Sequence, residues 1–285
     1  MKLEDVYRPI AREIDGVKRE LQRLVPTFDS SSTVEVVERF TRVPGKLLRP
    51  ALLLLAAKTV DERPTEARTA ALVQSAVGVE LIHNASLVHD DVLDNDGERR
   101  GQPTVNALWG TKVAVLTGDV LYSRAYGLLT ATLSSDLLQR VVRLSESMCS
   151  AEIEQARTGN QNLTRDQYFR IIEGKTAAFM GLCCRLGASL AGADPGQVEG
   201  LAAFGLAFGL AYQLFDDQQD GDLGCAEVDG GAEGRRQARL ALGALEAMAP
   251  TAAGERLKAL VHYLLLANGQ DPAETVRQES RSSAF

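Results

Sequence analysis

Two clusters of aspartate residues carry the strongest chemical signal in this sequence. The clusters have the same spacing, D-D-x-x-D, and their members are Asp90, Asp91 and Asp94 in the first and Asp216, Asp217 and Asp220 in the second. In a helix, this spacing puts the first and last carboxylates of each cluster on one face, one turn apart. Magnesium prefers oxygen ligands, usually one or two carboxylates together with phosphate oxygens and water. The pattern therefore predicts two magnesium-binding clusters that act on a phosphorylated group.

Two other interpretations compete with magnesium. Acidic residues can simply solvate a helix end, but two clusters of identical spacing at the ends of two apolar stretches make this less favoured. A calcium loop would need D-x-[DN]-x-[DN]-G-x5-E. From Asp216 the chain follows this pattern through Asp220, Gly221 and Glu227, and it departs at Gln218. The following VDGGAEG is a poor exiting helix, so calcium is the weaker reading.

A diphosphate site also needs cations and polar donors, and three short strings provide them. These are PGKLLRP with Lys46 and Arg49, NDGERRGQPT with Arg99 and Arg100, and EGKTAAF with Lys175 and Thr176. Planar guanidinium groups suit bidentate phosphate contacts. The GKT string is not a Walker A loop, because Phe169 stands where that motif requires glycine.

Three further polar residues lie beside the aspartate clusters. His83 lies on the helical stripe of Asp90 and Asp94, so we expect it to contact a diphosphate. His89 points elsewhere on the helix, and we expect a structural role for it. Gln213 precedes the second cluster by one turn.

Helices must position these residues. Hydrophobic residues make up 45% of the 285-residue chain and aromatic residues only 5%, which favours helices over strands. The periodicity predicts helices near 3–24, 33–42, 47–60, 65–93, 110–132, 135–158, 164–190, 195–221, 234–248 and 251–267. No strand pattern, repeat or long linker is visible. We expect one all-α domain over residues 1–285.

Composition disfavours several other classes of protein. The net charge of -7 disfavours a nucleic-acid partner. The four cysteines form no C-x-x-C pair, so zinc binding and a disulfide framework are not expected. The N-terminus lacks the apolar stretch of a signal peptide. We find no run of about 18 apolar residues, so we expect no membrane span. The cysteine pattern favours a reduced, cytoplasmic location.

The chain resembles the trans-type polyprenyl diphosphate synthases over residues 45 to 221. The matching strings, in the order of that family, are GKLLRP, ELIHNASLVHDDVLDNDGERRGQPTVN, LTGDVLY, EGKTAAF and AYQLFDDQQD. The resemblance implies a helical bundle around a deep cavity, usually in a homodimer. It also implies an enzyme that joins isopentenyl diphosphate to an allylic prenyl diphosphate.

The resemblance implies roles for the candidate residues. The implied magnesium ligands, for three ions per site, are Asp90, Asp94, Asp216 and Asp220, with Asp91 assisting. The implied contacts to the allylic diphosphate are Arg99, Lys175, Thr176 and Gln213. The implied isopentenyl diphosphate site is Lys46, Arg49, His83 and Arg100. Together, Asp90, Asp91, Asp94, Lys175 and Asp216 are the implied catalytic residues.

Small residues precede the first cluster on its helix and bear on product length. Ala85 and Ser86 lie where a bulky side chain would close the cavity, with Ile82 and Gly78 beyond them. We therefore predict an all-trans product of at least twenty carbons. The exact length, the preferred allylic starter and the pathway served stay open at this stage.

One departure from the family follows the second cluster. The lysine-rich segment usual there is replaced by DGDLGCAEVDGGAEGRR, and Arg235 or Arg236 is the nearest candidate to replace its charge. The departure leaves open a weakly active or non-catalytic subunit of a heteromeric synthase. A terpene cyclase is disfavoured, because a cyclase would not need the isopentenyl diphosphate residues.

Overall fold

The described chain is helical apart from one short hairpin. The computed structural model describes residues 2–41, 45–159, 162–246, 248–272 and Thr275. Its helices are α1 (Leu3–Tyr7), α2 (Ala11–Leu24), α3 (Ser31–Thr41), α4 (Leu48–Val60), α5 (Glu66–Leu93), α6 (Val105–Trp109), α7 (Thr111–Thr132), α8 (Ser135–Thr158), α9 (Arg165–Ile172), α10 (Ala178–Ala191), α11 (Pro195–Asp220), α12 (Gly230–Glu246) and α13 (Ala252–Ala267). The prediction of an all-α fold is confirmed.

Several predicted helices differ from the observed ones in their bounds. The predicted helix 3–24 is divided by a 3₁₀ turn at Arg8–Ile10, where Pro9 cannot donate a backbone hydrogen bond. The predicted helix 164–190 is divided by a π-helical turn at Glu173–Ala177. The helix α6 was not predicted. Two positions of predicted helices, residues 42 and 247, lie outside the described residues.

Contacts along the chain group it into two compact units. The first unit comprises Ile10–Leu54 and Thr65–Ser135, and it contains the first aspartate cluster. The second unit comprises Met1–Pro9, Leu55–Pro64 and Asp136–Phe285, and it contains the second cluster. The expectation of one domain over 1–285 stays a prediction.

The first unit is built around α5. This helix starts at Thr65, whose side chain accepts a hydrogen bond from the backbone N–H of Arg68. It crosses α7 closely at Gly78, where an added Cβ would lie 2.7 Å from Leu129. Ser75 also shares a 3.0 Å hydrogen bond with Thr132. This crossing fixes the course of α5 toward the aspartates at its C-terminal end.

The second unit is built around α11. Asp194 and Gln197 form a capping box at its start, with Pro195 in the first turn. Near its middle, α11 approaches α10 so closely that a Cβ at residue 205 would lie 2.5 Å from the Met180 carbonyl oxygen. The helix ends at Gly221 in the left-handed region, φ 78°. The second cluster therefore lies in the last turns of a helix that is held tightly upstream.

Two of these helices are long and apolar enough to cross a membrane by length and composition. They are Glu66–Leu93 and Pro195–Asp220, and 67% and 61% of their most apolar windows are buried within the protein. The sequence analysis expected no apolar run of this length, and the hydropathy of these two helices exceeds that expectation. Core helices of soluble proteins pass the same test, and this burial is typical of them.

Candidate functional site

The first aspartate cluster forms the C-terminal end of α5. Asp90 and Asp91 lie in the last turn, and Asp94 is the capping residue, with its backbone N–H donating to the Asp90 carbonyl oxygen at 2.8 Å. Asp90 is half-buried and Asp94 is exposed. Carboxylates at this end of a helix meet its negative pole, which makes a bound cation favourable. The predicted placement of the cluster at a helix end is therefore observed.

Asp91 differs from the other two members of the first cluster. Its side chain is only 1% exposed, and its Oδ1 accepts a 2.5 Å hydrogen bond from Arg99 Nε. Burial raises the pKa of Asp91, and Arg99 opposes this shift. The carboxylate of Asp91 thus fixes the guanidinium of Arg99.

A two-residue turn positions Arg99 and Arg100. Strands β1 (Glu98–Arg99) and β2 (Gln102–Pro103) pair antiparallel, and the turn residues Arg100 and Gly101 have φ of 53° and 73°. Two positive φ values in succession are the mark of a type I′ turn, which keeps a short hairpin twisted correctly. A Cβ at residue 45 would lie 2.5 Å from Arg100 Nη2, so the guanidinium packs directly on the Gly45 backbone.

Three of the four residues predicted for isopentenyl diphosphate come together in the first unit, and the fourth, Lys46, belongs to the same unit. Arg49 and Arg100 both act electrostatically on His83, and each of the three belongs to a different segment. Burial, then the nearby arginines, lower the pKa of His83 well below its usual value, so its imidazole is neutral at pH 7. Lys46 is exposed beside Leu47, which has a left-handed φ of 51° and a buried side chain. We call Lys46, Arg49, His83 and Arg100 the cationic cluster.

His89 contacts α7 rather than the cationic cluster. Its Nε2 lies 3.0 Å from the Val115 carbonyl oxygen, and its ring fills the space that a Cβ on Gly118 would occupy. Its ring also lies 5.9 Å from that of Tyr122. This position accords with the structural role expected for His89.

The second aspartate cluster lies in the last turns of α11. Asp216 and Asp220 are exposed, whereas Asp217 is half-buried. Asp217 accepts hydrogen bonds from Tyr168 Oη at 2.6 Å and from Gln213 Nε2 at 2.7 Å. Burial raises the pKa of Asp217, and these two hydrogen bonds oppose the shift.

Gln213 and Thr176 belong to the same hydrogen-bond network as Asp217. Thr176 Oγ1 donates to Gln213 Oε1 at 2.7 Å, and Gln213 donates in turn to Asp217. Because α11 remains helical through Asp220, the second cluster is not a calcium-binding loop of the EF-hand type. The calcium hypothesis needed a loop at Asp216–Asp220, and these residues are helical, so it is wrong.

Lys175 projects from the π-helical turn in the second unit. Its Nζ lies 2.7 Å from Glu152 Oε1 and donates to Gln155 Oε1 at 2.7 Å. A π turn inserts one extra residue and often marks a functional site. Sequence reasoning missed Glu152 and Gln155, because nothing local links α8 to the EGKTA string.

The two predicted chain-length residues are placed differently. Ala85 is fully buried, so it presents no surface to a substrate in this conformation. Ser86 keeps part of its surface, and its Oγ donates to the His83 carbonyl oxygen at 2.9 Å. The prediction that the small side chains of Ala85 and Ser86 leave room for a longer product stays a prediction for both residues.

The segment after the second cluster is short and packed. The Leu163 N–H donates to the Gly224 carbonyl oxygen at 3.0 Å, and Cys225 and Val228 are buried in a core cluster. Arg235 donates to Gln270 at 2.8 Å, and Arg236 pairs with Glu233. The two arginines that could replace the missing lysines are thus engaged elsewhere.

The carboxylates of the two clusters suit a divalent cation that shares its shell with phosphate. Within the described ranges, no group of three or more His, Cys, Asp or Glu side chains is arranged to hold a metal ion. Magnesium does not need such a group, because it usually binds one or two carboxylates and completes its shell with phosphate oxygens and water. Asp90 with Asp94, and Asp216 with Asp220, fit that requirement.

Comparisons with known proteins identify the class and then the family. A helical scaffold that carries two such aspartate clusters defines the class of diphosphate-binding isoprenoid enzymes. The family model described as polyprenyl synthetase matches residues 31–228. This chain belongs to the polyprenyl synthetase family.

Three curated relatives illustrate the similarity. The chain is 30% identical to a short chain isoprenyl diphosphate synthase of Methanothermobacter thermautotrophicus, over 77% of this chain and 67% of the relative. It is 39% identical to a geranylgeranyl diphosphate synthase of Mycobacterium tuberculosis, over 61% of this chain and 49% of the relative. It is 34% identical to component 2 of a heptaprenyl diphosphate synthase of Geobacillus stearothermophilus, over 77% of this chain and 67% of the relative. The match thus spans about half to two thirds of these relatives.

A solved structure matches more completely. The chain superposes on a decaprenyl diphosphate synthase from Rhodobacter capsulatus with a TM-score of 0.83 and 26% sequence identity. The superposition covers 92% of this chain and 98% of the other. The fold is therefore that of a prenyl diphosphate synthase over nearly its whole length.

Proposed function

We propose that this chain joins isopentenyl diphosphate to an allylic prenyl diphosphate and makes an all-trans prenyl diphosphate of at least twenty carbons. The observation that carries the proposal is that α5 presents both His83, a member of the cationic cluster, and the first aspartate cluster. His83 and Asp90 lie two turns apart on that helix, so one element presents an anion-binding group and a metal-binding group.

The reaction begins with the allylic diphosphate. Its C1–O bond breaks and the diphosphate leaves. The double bond of isopentenyl diphosphate then attacks the allylic cation, and a proton leaves, which the departing diphosphate accepts. Asp90 with Asp94, and Asp216 with Asp220, would hold magnesium, which when bound would supply positive charge for the leaving group.

Residues of the chain hold the two substrates. Arg99, fixed by Asp91, and Lys175 bind the allylic diphosphate, with Thr176 and Gln213 as polar contacts. Arg49, Arg100, Lys46 and the neutral His83 bind isopentenyl diphosphate. Preorganised positive charge at the leaving group is the main catalytic contribution.

The length of the product depends on the space near α5. Ser86 is small and partly accessible, which supports growth past the farnesyl length. The relatives named above include short-chain, geranylgeranyl and heptaprenyl enzymes, so the family spans several product lengths.

We also propose a homodimer in the cytoplasm. The first unit exposes apolar side chains on α6 and α7, with Leu108 42%, Val115 40% and Leu116 53% exposed. In this proposal these side chains would be covered by the second copy of the chain. The cytoplasmic location rests on the sequence alone.

A second candidate is a subunit of a heteromeric synthase. It is favoured by the short, lysine-free segment after Asp220 and by the similarity to a protein named as component 2 of a synthase. In this case the chain would need a partner chain for activity.

Product analysis separates these possibilities. The purified chain is incubated with magnesium, isopentenyl diphosphate and farnesyl diphosphate, and the dephosphorylated products are separated by thin-layer chromatography. We expect prenols longer than farnesol. Product that forms only after a partner chain is added would favour the subunit, and cyclic hydrocarbon formed without isopentenyl diphosphate would refute both.

A further inference from the structure

Glu80 is a buried acid that the proposed reaction does not use. It lies in α5, one turn before His83, and it is 3% exposed. Its Oε2 is buried, and no described residue forms a hydrogen bond with it. A buried, unsatisfied carboxylate oxygen is costly, and native proteins keep such groups rarely and usually for a reason.

The surroundings of Glu80 are positively charged. Arg49, from the start of α4, and Arg100, from the hairpin turn, both act on it electrostatically, and His83 follows it on its own helix. Burial raises the pKa of Glu80 to about 7, and the two arginines hold it from rising further. His83 is neutral in this range because its pKa is lowered. Glu80 is therefore the member of this group that titrates near neutral pH.

The arrangement of these side chains links Glu80 to anion binding. A diphosphate bound by Arg49 and Arg100 would cancel the positive charge that keeps Glu80 ionised, and would add negative charge beside it. A protonated Glu80 would avoid this repulsion, and its hydroxyl would give the unsatisfied oxygen a hydrogen to donate.

We propose that Glu80 is a positioning residue of the isopentenyl diphosphate site, and that it takes up one proton from solvent when the diphosphate binds. This inference rests on the proposed function, because it assumes that the cationic cluster binds that substrate. No covalent bond changes, and the proton returns to solvent when the anion leaves.

The sign of the pH dependence follows from this linkage. Free Glu80 loses its proton above pH 7, whereas bound Glu80 keeps it to a higher pH. Affinity for the diphosphate therefore falls as pH rises above 7, by up to about tenfold per pH unit, until the bound carboxyl titrates. Glu80→Gln mimics the protonated side chain, so it should bind more tightly than the wild type at pH 8 and about equally at pH 6.

Calorimetry at pH 8 tests the proton uptake. Isopentenyl diphosphate is titrated into the full chain without magnesium, in two buffers of different ionisation enthalpy. At pH 8 a terminal phosphate, with its second pKa near about 6, is already ionised, so any proton taken up goes to the protein. We expect roughly 0.5–1 proton per site in the wild type, and near zero in Glu80→Gln.

Glu66→Gln is the matched control. It makes the same chemical change on the same helix at an exposed position, and it should take up protons as the wild type does. Equal proton uptake in Glu80→Gln and wild type would overturn this inference but not the proposed function. Binding without proton uptake in the wild type would do the same. No binding by the wild type would overturn the proposed function, and this inference with it. The wild-type measurement decides the question even if Glu80→Gln does not fold.

Discussion

In both aspartate clusters, the second aspartate is held by protein side chains. Asp91 is bound by Arg99, and Asp217 by Tyr168 and Gln213. The outer members, by contrast, keep access to solvent, since Asp94, Asp216 and Asp220 are exposed and Asp90 is half-buried. The central aspartate of each cluster is thus held rigidly, which fits the proposal that the outer carboxylates bind metal.

Asp91→Asn tests this division at the first cluster. Loss of the buried carboxylate removes the charge-assisted bond to Arg99, so we expect the free energy of unfolding to fall by about 1–3 kcal/mol. Asp94→Asn, at an exposed helix end, should change it by no more than about 0.5 kcal/mol. Urea unfolding of the two variants gives both values, and a larger loss for Asp94→Asn would contradict the assignment.

Glu80 gives a second prediction at the residue scale, in the stability of the free protein. Its pKa is raised from 4.5 to about 7 on folding, so its favourable contribution is full below pH 4.5 and is lost as pH rises through 7. Glu80→Gln does not titrate. We therefore expect its stability relative to wild type to rise by about 1–3 kcal/mol between pH 5 and pH 8. Urea unfolding at both pH values measures this, and a pH-independent difference would refute it.

At the scale of elements, the cationic cluster depends on three segments that meet. The left-handed Leu47 leads into α4, the type I′ turn presents Arg100, and α5 presents His83. Arg100 can lie against the chain only because residue 45 lacks a Cβ. Backbone conformation, rather than side-chain chemistry alone, therefore assembles the cationic cluster.

Gly45→Ala tests this packing. The new Cβ would displace the Arg100 guanidinium, which is the far end of a flexible side chain, so stability should change little. We expect the KM for isopentenyl diphosphate to rise by about 3–10-fold, because one phosphate contact is displaced. Gly97→Ala is the control, since nothing lies within 4 Å of its added Cβ. Equal KM values for the two variants would contradict the packing argument.

Local patterns predicted much of this from the sequence. The ends of α5 and α11 were predicted well, because apolar periodicity stops where the acids begin. The π-helical turn at Glu173–Ala177 was missed, since its residues fit an α-helix equally well. The contacts of Lys175 with Glu152 and of Asp91 with Arg99 depend on tertiary packing that spacing does not reveal. Glu80 did leave a signal, as the one charged residue in the apolar string VGVELI.

At the scale of the whole molecule, the fold and the reaction chemistry rest on different observations. The family match and the superposition establish the scaffold. The proposed metal-dependent step rests on the outer aspartates, of which Asp90 belongs to the first unit and Asp216 to the second. If both residues hold the metal that helps the allylic diphosphate to leave, the activity of the chain should require each of them.

Turnover of three aspartate variants with magnesium, isopentenyl diphosphate and farnesyl diphosphate is the most direct test of this claim. We expect Asp90→Asn and Asp216→Asn each to lose at least about 100-fold in kcat, because each removes charge that stabilises the leaving group. Both should keep the wild-type melting temperature within a few degrees. Asp15→Asn, at an exposed position on α2, should keep full activity. Wild-type turnover in either Asp90→Asn or Asp216→Asn would contradict the account.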